Sequence, residues 1–318
     1  LTIGLLLTFS QEGQTKPTFT EYVGQLKEEA LSLGYSRPWL DEVFSQVSYR
    51  QSTVQADNNQ PETKITLDSY LATRVPDWKV QQAVSLMAEH FDLLEQVEQQ
   101  YGVQKSFIVA LWGNESNFGK IMGRHPVLSS LTTLAYDGRR EVMFKKQLFA
   151  ALSILKQGHI RQEDFVGSWA GAMGQSQFMP QSFLDYAVDF NGNGKIDIWS
   201  EPGDVFASIA NFLGAEGWSD TGTWGRQVTM PDSLDPKLIG LKSTHKKSLA
   251  QWQALGVKRY AGTDLPKVCI DANLIAPDGP KGRVYLVYNN FLTLMKWNRS
   301  SYFGLSVSYL TDRIKKGK

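Results

Sequence analysis

The run Phe107 to Gly119, Phe-Ile-Val-Ala-Leu-Trp-Gly-Asn-Glu-Ser-Asn-Phe-Gly, is an apolar helical stretch that ends by presenting one carboxylate, and the chain must pack around it. Ile108, Leu111 and Trp112 share one helical face, and Glu115 continues that face a turn later, toward packed side chains. The helix is predicted to end between Asn117 and Gly119. That sets the negative end of its dipole beside Glu115 and, with apolar neighbours, raises the carboxyl pKa. A carboxylic acid neutral near pH 7 can donate a proton, as breaking a glycosidic bond requires. Read alone, the same residues also fit a helix-end glutamate on a solvated face.

Before this run the spacing predicts helices over 19–33, 38–47 and from about 67, and a long helix capped by Asp77 and closed by Gly102. Residues 48–66 are rich in Gln, Asn, Ser and Thr and read as a connection without an element. Ser106 is the expected cap of the Glu115 helix, and further helices follow over 129–135, 139–157 and 205–215. From Thr221 the texture changes to Pro, Gly and short β-rich runs such as Lys267–Ile270 and Val284–Tyr288, a region interrupted by a helix over 243–255 and followed by a closing helix over 302–314.

Gly167 to Phe183 breaks the helical pattern: glycines and a proline interleave with Trp, Met, Phe and Gln, a composition that lets backbone approach a ligand while aromatic and amide groups line the way. A glycine-assisted helix contact explains these residues equally well. Asp189-Phe-Asn-Gly-Asn-Gly-Lys-Ile-Asp197 places oxygen side chains at positions one, three, five and nine of an EF-hand-like loop, with glycine at position six. Ser200 stands where the twelfth-position glutamate belongs, so Glu201 or Asp204 has to close a longer loop. A tight Asx-turn loop that binds nothing is the alternative.

The 33 basic and 32 acidic side chains give a formal net charge of +1, which argues against bulk nucleic-acid binding. One cysteine, Cys269, excludes an internal disulfide and any cysteine-based metal cluster, and it reads as a buried small hydrophobe. The four histidines, His90, His125, His159 and His245, lack metal spacing. No phosphate-binding or nucleophile-elbow motif implies an organic cofactor. Leu1 to Phe9 resembles the apolar part of a secretory signal and is too short to span a bilayer; no cysteine follows it for a lipid anchor, and, without a clear small-residue cleavage site, a first strand or buried helix turn is the alternative. The basic tail from Arg313 reads as a solvated end.

Four stretches together resemble the bacterial lytic murein transglycosylase B family, glycoside hydrolase family 103, from about Tyr22 to Ile314: Asn114-Glu115-Ser116 with Phe118-Gly119, Gly167 to Pro180, Asp189 to Trp199, and Lys296-Trp297-Asn298-Arg299-Ser300. The resemblance implies a mainly α (α+β) fold. Its expected parts are a signal-like 1–15, a helical domain 16–101, a goose-lysozyme-like catalytic core 102–220, a small antiparallel β domain 221–290, and a segment 291–318 returning to the core. It implies a periplasmic monomer that cleaves peptidoglycan glycan strands between N-acetylmuramic acid and N-acetylglucosamine, leaving 1,6-anhydromuramyl ends, with other cell-wall enzymes as candidate partners. A hydrolytic muramidase and a non-catalytic peptidoglycan-binding scaffold are the competing readings.

Carried over by position, Glu115 takes the catalytic acid role, Ser168 and Gln177 fall on polar groove positions, and Phe178 on an apolar wall. Trp169, Trp297 and Phe303 join as substrate-facing aromatics. Asp189, Asn191, Asn193, the Lys195 carbonyl and Asp204 form the expected set for a structural Ca²⁺. Where the family shows groove tyrosines, this chain has Phe212, Trp297 and Phe303, so hydrogen bonds from those hydroxyls are expected to be lost. No second acid pairs with Glu115: Asp137, Glu141 and Asp185 read as turn, cap or surface residues, in keeping with one carboxyl serving as acid and base rather than the usual pair.

Overall fold

The computed structural model describes residues 16–59 and 65–317, and the leader-like Leu1 to Phe9 lies outside them. The described residues form fourteen α-helices and a small antiparallel β region, in line with the expected mainly α class. An outer shell consists of α1 (Phe19–Ser32), α2 (Arg37–Ser45), α3 (Gln51–Asn58), α4 (Leu67–Arg74), α5 (Asp77–Glu89) and α6 (Phe91–Tyr101). Thr18 starts α1 with a reciprocal cap: its hydroxyl accepts from the Glu21 amide while Glu21 accepts from the Thr18 amide.

Two expectations for this shell fail for tertiary reasons. The polar stretch 48–66 contains a helix, α3, because the nearly buried Asp57 pairs with both Arg139 and Arg140 and pins the segment to the body. The single helix expected over 77–102 is two helices meeting at His90, whose ring packs edge-on against Trp112 and Phe206. Asp77 is the first residue of α5 rather than its cap, and its carboxylate pairs with Arg313 at 2.9 Å.

At the centre lies α7 (Lys105–Ser116), buried at every position from Ser106 to Asn114 and enclosed by α5, α6, α11 (Pro202–Ala215) and α14 (Ser301–Lys316). Gln104, not Ser106, precedes its first turn; Ser106 is inside the helix, under α14. Between α7 and α11 the chain forms α8 (Val127–Asp137), α9 (Glu141–Lys156) and α10 (Pro180–Tyr186), with a two-stranded ribbon of β1 (His125–Pro126) and β2 (Val166–Gly167) at their side. Gly123, in the left-handed region at φ +89°, permits this ribbon, since a side chain there would strike the Gly167 carbonyl.

The sheet has the order β4-β6-β7-β3-β5, built from β3 (Gly225–Thr229), β4 (Lys247–Ser248), β5 (Lys258–Arg259), β6 (Asp271–Ile275) and β7 (Val284–Val287), all antiparallel. It has its own apolar cluster around the fully buried Trp252 of α12 (Leu249–Ala254). The strand expected over 267–270 is displaced to β6. Val268 is half exposed and Cys269 exposed, so that apolar run is not buried, whereas Asn273 is buried and bonded through its amide to the Gly240 and Lys242 carbonyls. Only the last part of the helix expected over 243–255 forms. Helix α13 (Asn289–Trp297) then returns the chain to the core, and α14 runs on to Lys316, so the basic end is helical rather than loose.

Candidate active site

Glu115 sits on the last turn of α7, where the backbone turns sharply. Asn117 and Phe118 both take left-handed conformations, φ +50° and +59°, and the Phe118 amide folds back to donate to the Trp112 carbonyl at 3.3 Å. A bulky residue with positive φ is rare, and here packing compensates: the Phe118 ring lies against Trp112 and over Gly113, where a Cβ would come within 2.7 Å of it. Glycine at 113 therefore lets the chain reverse directly behind the glutamate.

The glutamate is held from the other side by Trp297 at the end of α13, whose indole N–H donates to Glu115 Oε1 at 2.6 Å. The Trp297 ring meets Phe178 at 5.2 Å and Phe212 at 4.8 Å between centroids, and Phe212 meets Tyr186 at 4.6 Å. Glu115 keeps partial exposure, yet its carboxyl lies in dense protein. Burial pushes its pKa from 4.5 up to about 7, against the opposing pull of the Trp297 N–H and of Arg74. The direction matches expectation, and burial is the main cause.

At position 297 the indole N–H supplies a hydrogen bond to Glu115 itself, distinct from the expected loss of hydroxyl contacts to the reaction intermediate. Among the three candidate second acids, Glu141 accepts from Tyr22 at 2.9 Å and Asp185 from Gln181 at 2.8 Å, both away from Glu115's partners.

Structure thus joins Glu115, Trp297 and Phe178 by direct contacts. Gln177, just before Phe178, is left-handed at φ +51° and is held by its side-chain N–H₂, which donates to the Gly174 carbonyl at 2.8 Å and to the Met122 carbonyl at 3.2 Å. The Ser168 oxygen accepts from the Ala172 amide at 3.0 Å, closing a tight turn, and Trp169 packs half-buried at the core's edge. Phe303 is buried at the first turn of α14, outside the ring contacts that join Trp297 to Phe178 and Phe212 among the described residues. A cavity of about 630 Å³ beside the sheet, lined by Asp68, Tyr260 and Arg283 among others, holds none of these residues. Side-chain chemistry rather than cavity size marks Glu115 as the candidate.

Sequence reading missed three residues. Lys79 is buried and donates to the Gly113 carbonyl at 3.3 Å, two residues before the glutamate, with burial and then Arg74 lowering its own pKa. Arg74 is the second, through its charge on Glu115. The third is Gln175: its amide oxygen accepts from the Trp112 indole at 2.7 Å, and its amide nitrogen donates to the Trp199 carbonyl at 2.9 Å. Only Gln175 lay in a stretch whose composition drew attention.

The loop 189–197 curls around its own oxygens. The Asp189 carboxylate accepts from the Asn193 and Gly194 amides, Asn191 from the Asn193 amide, and Asn193 from the Lys195 amide, at 2.7 to 3.1 Å. The buried Asp204 accepts from the Phe190 and Asp197 amides at 2.8 and 2.7 Å and so closes the loop from α11. Burial raises the Asp204 pKa, and the nearby Asp189 and Glu201 charges add to the effect. Such hard oxygens, with two carboxylates repelling each other, fit a calcium ion. Asp197, its side chain mostly buried, accepts from the Trp199 and Ser200 amides.

The Transglycosylase SLT domain family matches residues 18–312. Membrane-bound lytic murein transglycosylase B of Escherichia coli K12 is 33% identical over 295 residues, which cover 88% of this chain and 79% of that protein. Among solved structures, SltB3 of Pseudomonas aeruginosa in complex with NAG-anhNAM-pentapeptide superposes with a TM-score of 0.90 at 40% identity, over 96% of this chain and 81% of that one. The E. coli lytic transglycosylase Slt35 in complex with calcium superposes with a TM-score of 0.80 at 28% identity, over 95% and 93%.

Proposed function

Because this chain belongs to the lytic murein transglycosylase B family and is a lytic transglycosylase, we propose that Glu115 alone serves as its acid and its base. The bond cut is the β-1,4 link between N-acetylmuramic acid and N-acetylglucosamine of peptidoglycan. Glu115 meets the substrate protonated, since its pKa of about 7 keeps much of it neutral at neutral pH. It gives the proton to the glycosidic oxygen as the C1–O bond breaks, while the substrate's own N-acetyl oxygen stabilises the cation at C1. The carboxylate left behind takes the proton of the C6 hydroxyl as O6 bonds to C1. No water is consumed, a 1,6-anhydromuramyl end forms, and Glu115 is again protonated.

The observation that carries this reading is a largely buried carboxyl with a raised pKa and no second carboxylate among its hydrogen-bond partners. Two carboxylates across the bond are the usual requirement of hydrolysis. The SltB3 complex with NAG-NAM-pentapeptide supports peptidoglycan strands as the ligand. Digestion of purified sacculi followed by mass spectrometry tests it: anhydro muropeptides are expected, and reducing-end muropeptides would make the protein a muramidase. Glu115→Gln is expected to release muropeptides at least about a hundredfold more slowly. Release at the parent rate would leave only a binding scaffold.

Asp189, Asn191, Asn193, the Lys195 carbonyl and Asp204 would hold a structural Ca²⁺, a reading that the calcium complex of Slt35 supports. When bound, the ion supplies positive charge that relieves the carboxylate repulsion in the loop; it takes no part in the proton transfers.

A further inference from the structure

The two oxygens of Glu115 have different surroundings. Oε1 receives the Trp297 indole N–H at 2.6 Å. Oε2 has no hydrogen-bond partner among the described residues and is not among the fully buried unpaired atoms, so it is the oxygen that keeps contact with solvent. An indole nitrogen carries one donor and accepts nothing. A proton on Oε1 would leave the indole hydrogen facing a hydroxyl oxygen across 2.6 Å, a poorer acceptor than the carbonyl oxygen that Oε1 is when the proton sits on Oε2.

The indole is also held firmly. Phe178 and Phe212 pack on its ring, and the neighbouring Lys296 bonds to the Glu216 carbonyl at 2.7 Å and pairs with the Glu216 carboxylate at 3.0 Å. Glu216 in turn accepts from Tyr186, so the end of α13 is clamped to α10 and α11. We propose that Trp297 is a positioning residue that confines the Glu115 proton to Oε2, the oxygen that faces substrate, and then holds Oε1 of the carboxylate while Oε2 recovers a proton from the sugar. This rests on Glu115 being the acid and base.

A tyrosine hydroxyl in the same place would both donate and accept, and would allow the proton on either oxygen. Tryptophan favours the arrangement with the proton on Oε2. Other charges near the carboxyl act through space or through the backbone: Arg74 at the end of α4, and Lys79 of α5 on the Gly113 carbonyl. His90, at the corner of α5 and α6, packs on Trp112, and Lys296 is tied to Glu216. Trp297 is the group that touches the carboxyl oxygen itself.

Two measurements test the proposal. In ¹H–¹⁵N spectra the indole resonance of Trp297, assigned by its disappearance in Trp297→Phe, is expected to titrate with a midpoint near 7 in the parent protein and to stay still in Glu115→Gln. A parent resonance that does not move between about pH 5 and 9 would overturn the proposal. In activity, Trp297→Phe keeps an aromatic ring but removes the donor that favours the carboxylate. The alkaline limb of kcat/KM on soluble glycan strands is expected to move up by about one pH unit and kcat to fall about tenfold. Trp297→Tyr, which restores a donor, is expected to bring the limb back toward the parent position. If Glu115→Gln is inactive while the Trp297→Phe limb stays in place, only the role of Trp297 is refuted. If Glu115→Gln cleaves as fast as the parent, the assignment of Glu115 itself is refuted.

Discussion

Glu115 trades stability for its protonation state. Its folded-state pKa of about 7 lies above the ordinary value of 4.5, so the unfolded chain releases this proton first as pH rises. The folded state therefore loses stability between roughly pH 4.5 and 7 and keeps that deficit above it. Glu115→Gln is expected to match the parent in urea unfolding at about pH 4 and to exceed it by up to about 3 kcal/mol at about pH 8. Equal stability at both pH values would mean that the carboxyl is not held neutral by burial. The direction of this shift was legible in the sequence, since Ile108, Leu111 and Trp112 mark the buried face on which Glu115 lies. Its control was not. Trp297 is 182 residues away along the chain, and no local pattern announces that an indole will meet a carboxylate. Lys79 was hidden for a similar reason, because a lysine in the first turn of an amphipathic helix ordinarily reads as exposed.

At the scale of elements, Gln175 ties the stretch that follows the Asp189–Asp197 loop to the helix that carries Glu115. Its side chain spans from the Trp199 carbonyl to the Trp112 indole, and its backbone amide donates to the Ile198 carbonyl at 2.8 Å. Gln175→Leu removes both side-chain bonds and leaves a donor and an acceptor without partners. Loss of about 2–4 kcal/mol is expected in chemical denaturation, and a change below about 0.5 kcal/mol would refute the link. Calcium belongs to the same scale. Adding it after chelation is expected to raise the melting temperature, with Asn193→Ala and Asp189→Ala reducing the rise; an unchanged melting temperature would refute a bound ion. Elements with strong internal periodicity, such as α1, α9 and α11, were readable in the chain. Those that depend on distant partners were not: α3 needs Asp57 to meet Arg139 and Arg140, the break between α5 and α6 follows from His90 packing on Trp112 and Phe206, and β6 is built around a buried asparagine satisfied by two carbonyls from another segment.

Across the whole molecule, two apolar clusters divide the work: a large one around α7 and a smaller one within the sheet region around Trp252. The class of the fold was legible because helical spacing dominates up to α11 and gives way to Pro, Gly and β-rich runs after Thr221. What joins the parts was not legible, since α13 and α14 return to cover α7 after the sheet has been built. That return has a consequence for how the enzyme is made. A ribosome delivers α7 early and α13 and α14 late, and domains fold as they emerge. Until residues 289–316 have been synthesised, Glu115 has neither its indole partner nor the helix that packs over α7. Displacing residues 289–316 would therefore strip Glu115 of its indole partner and α7 of its cover in one step.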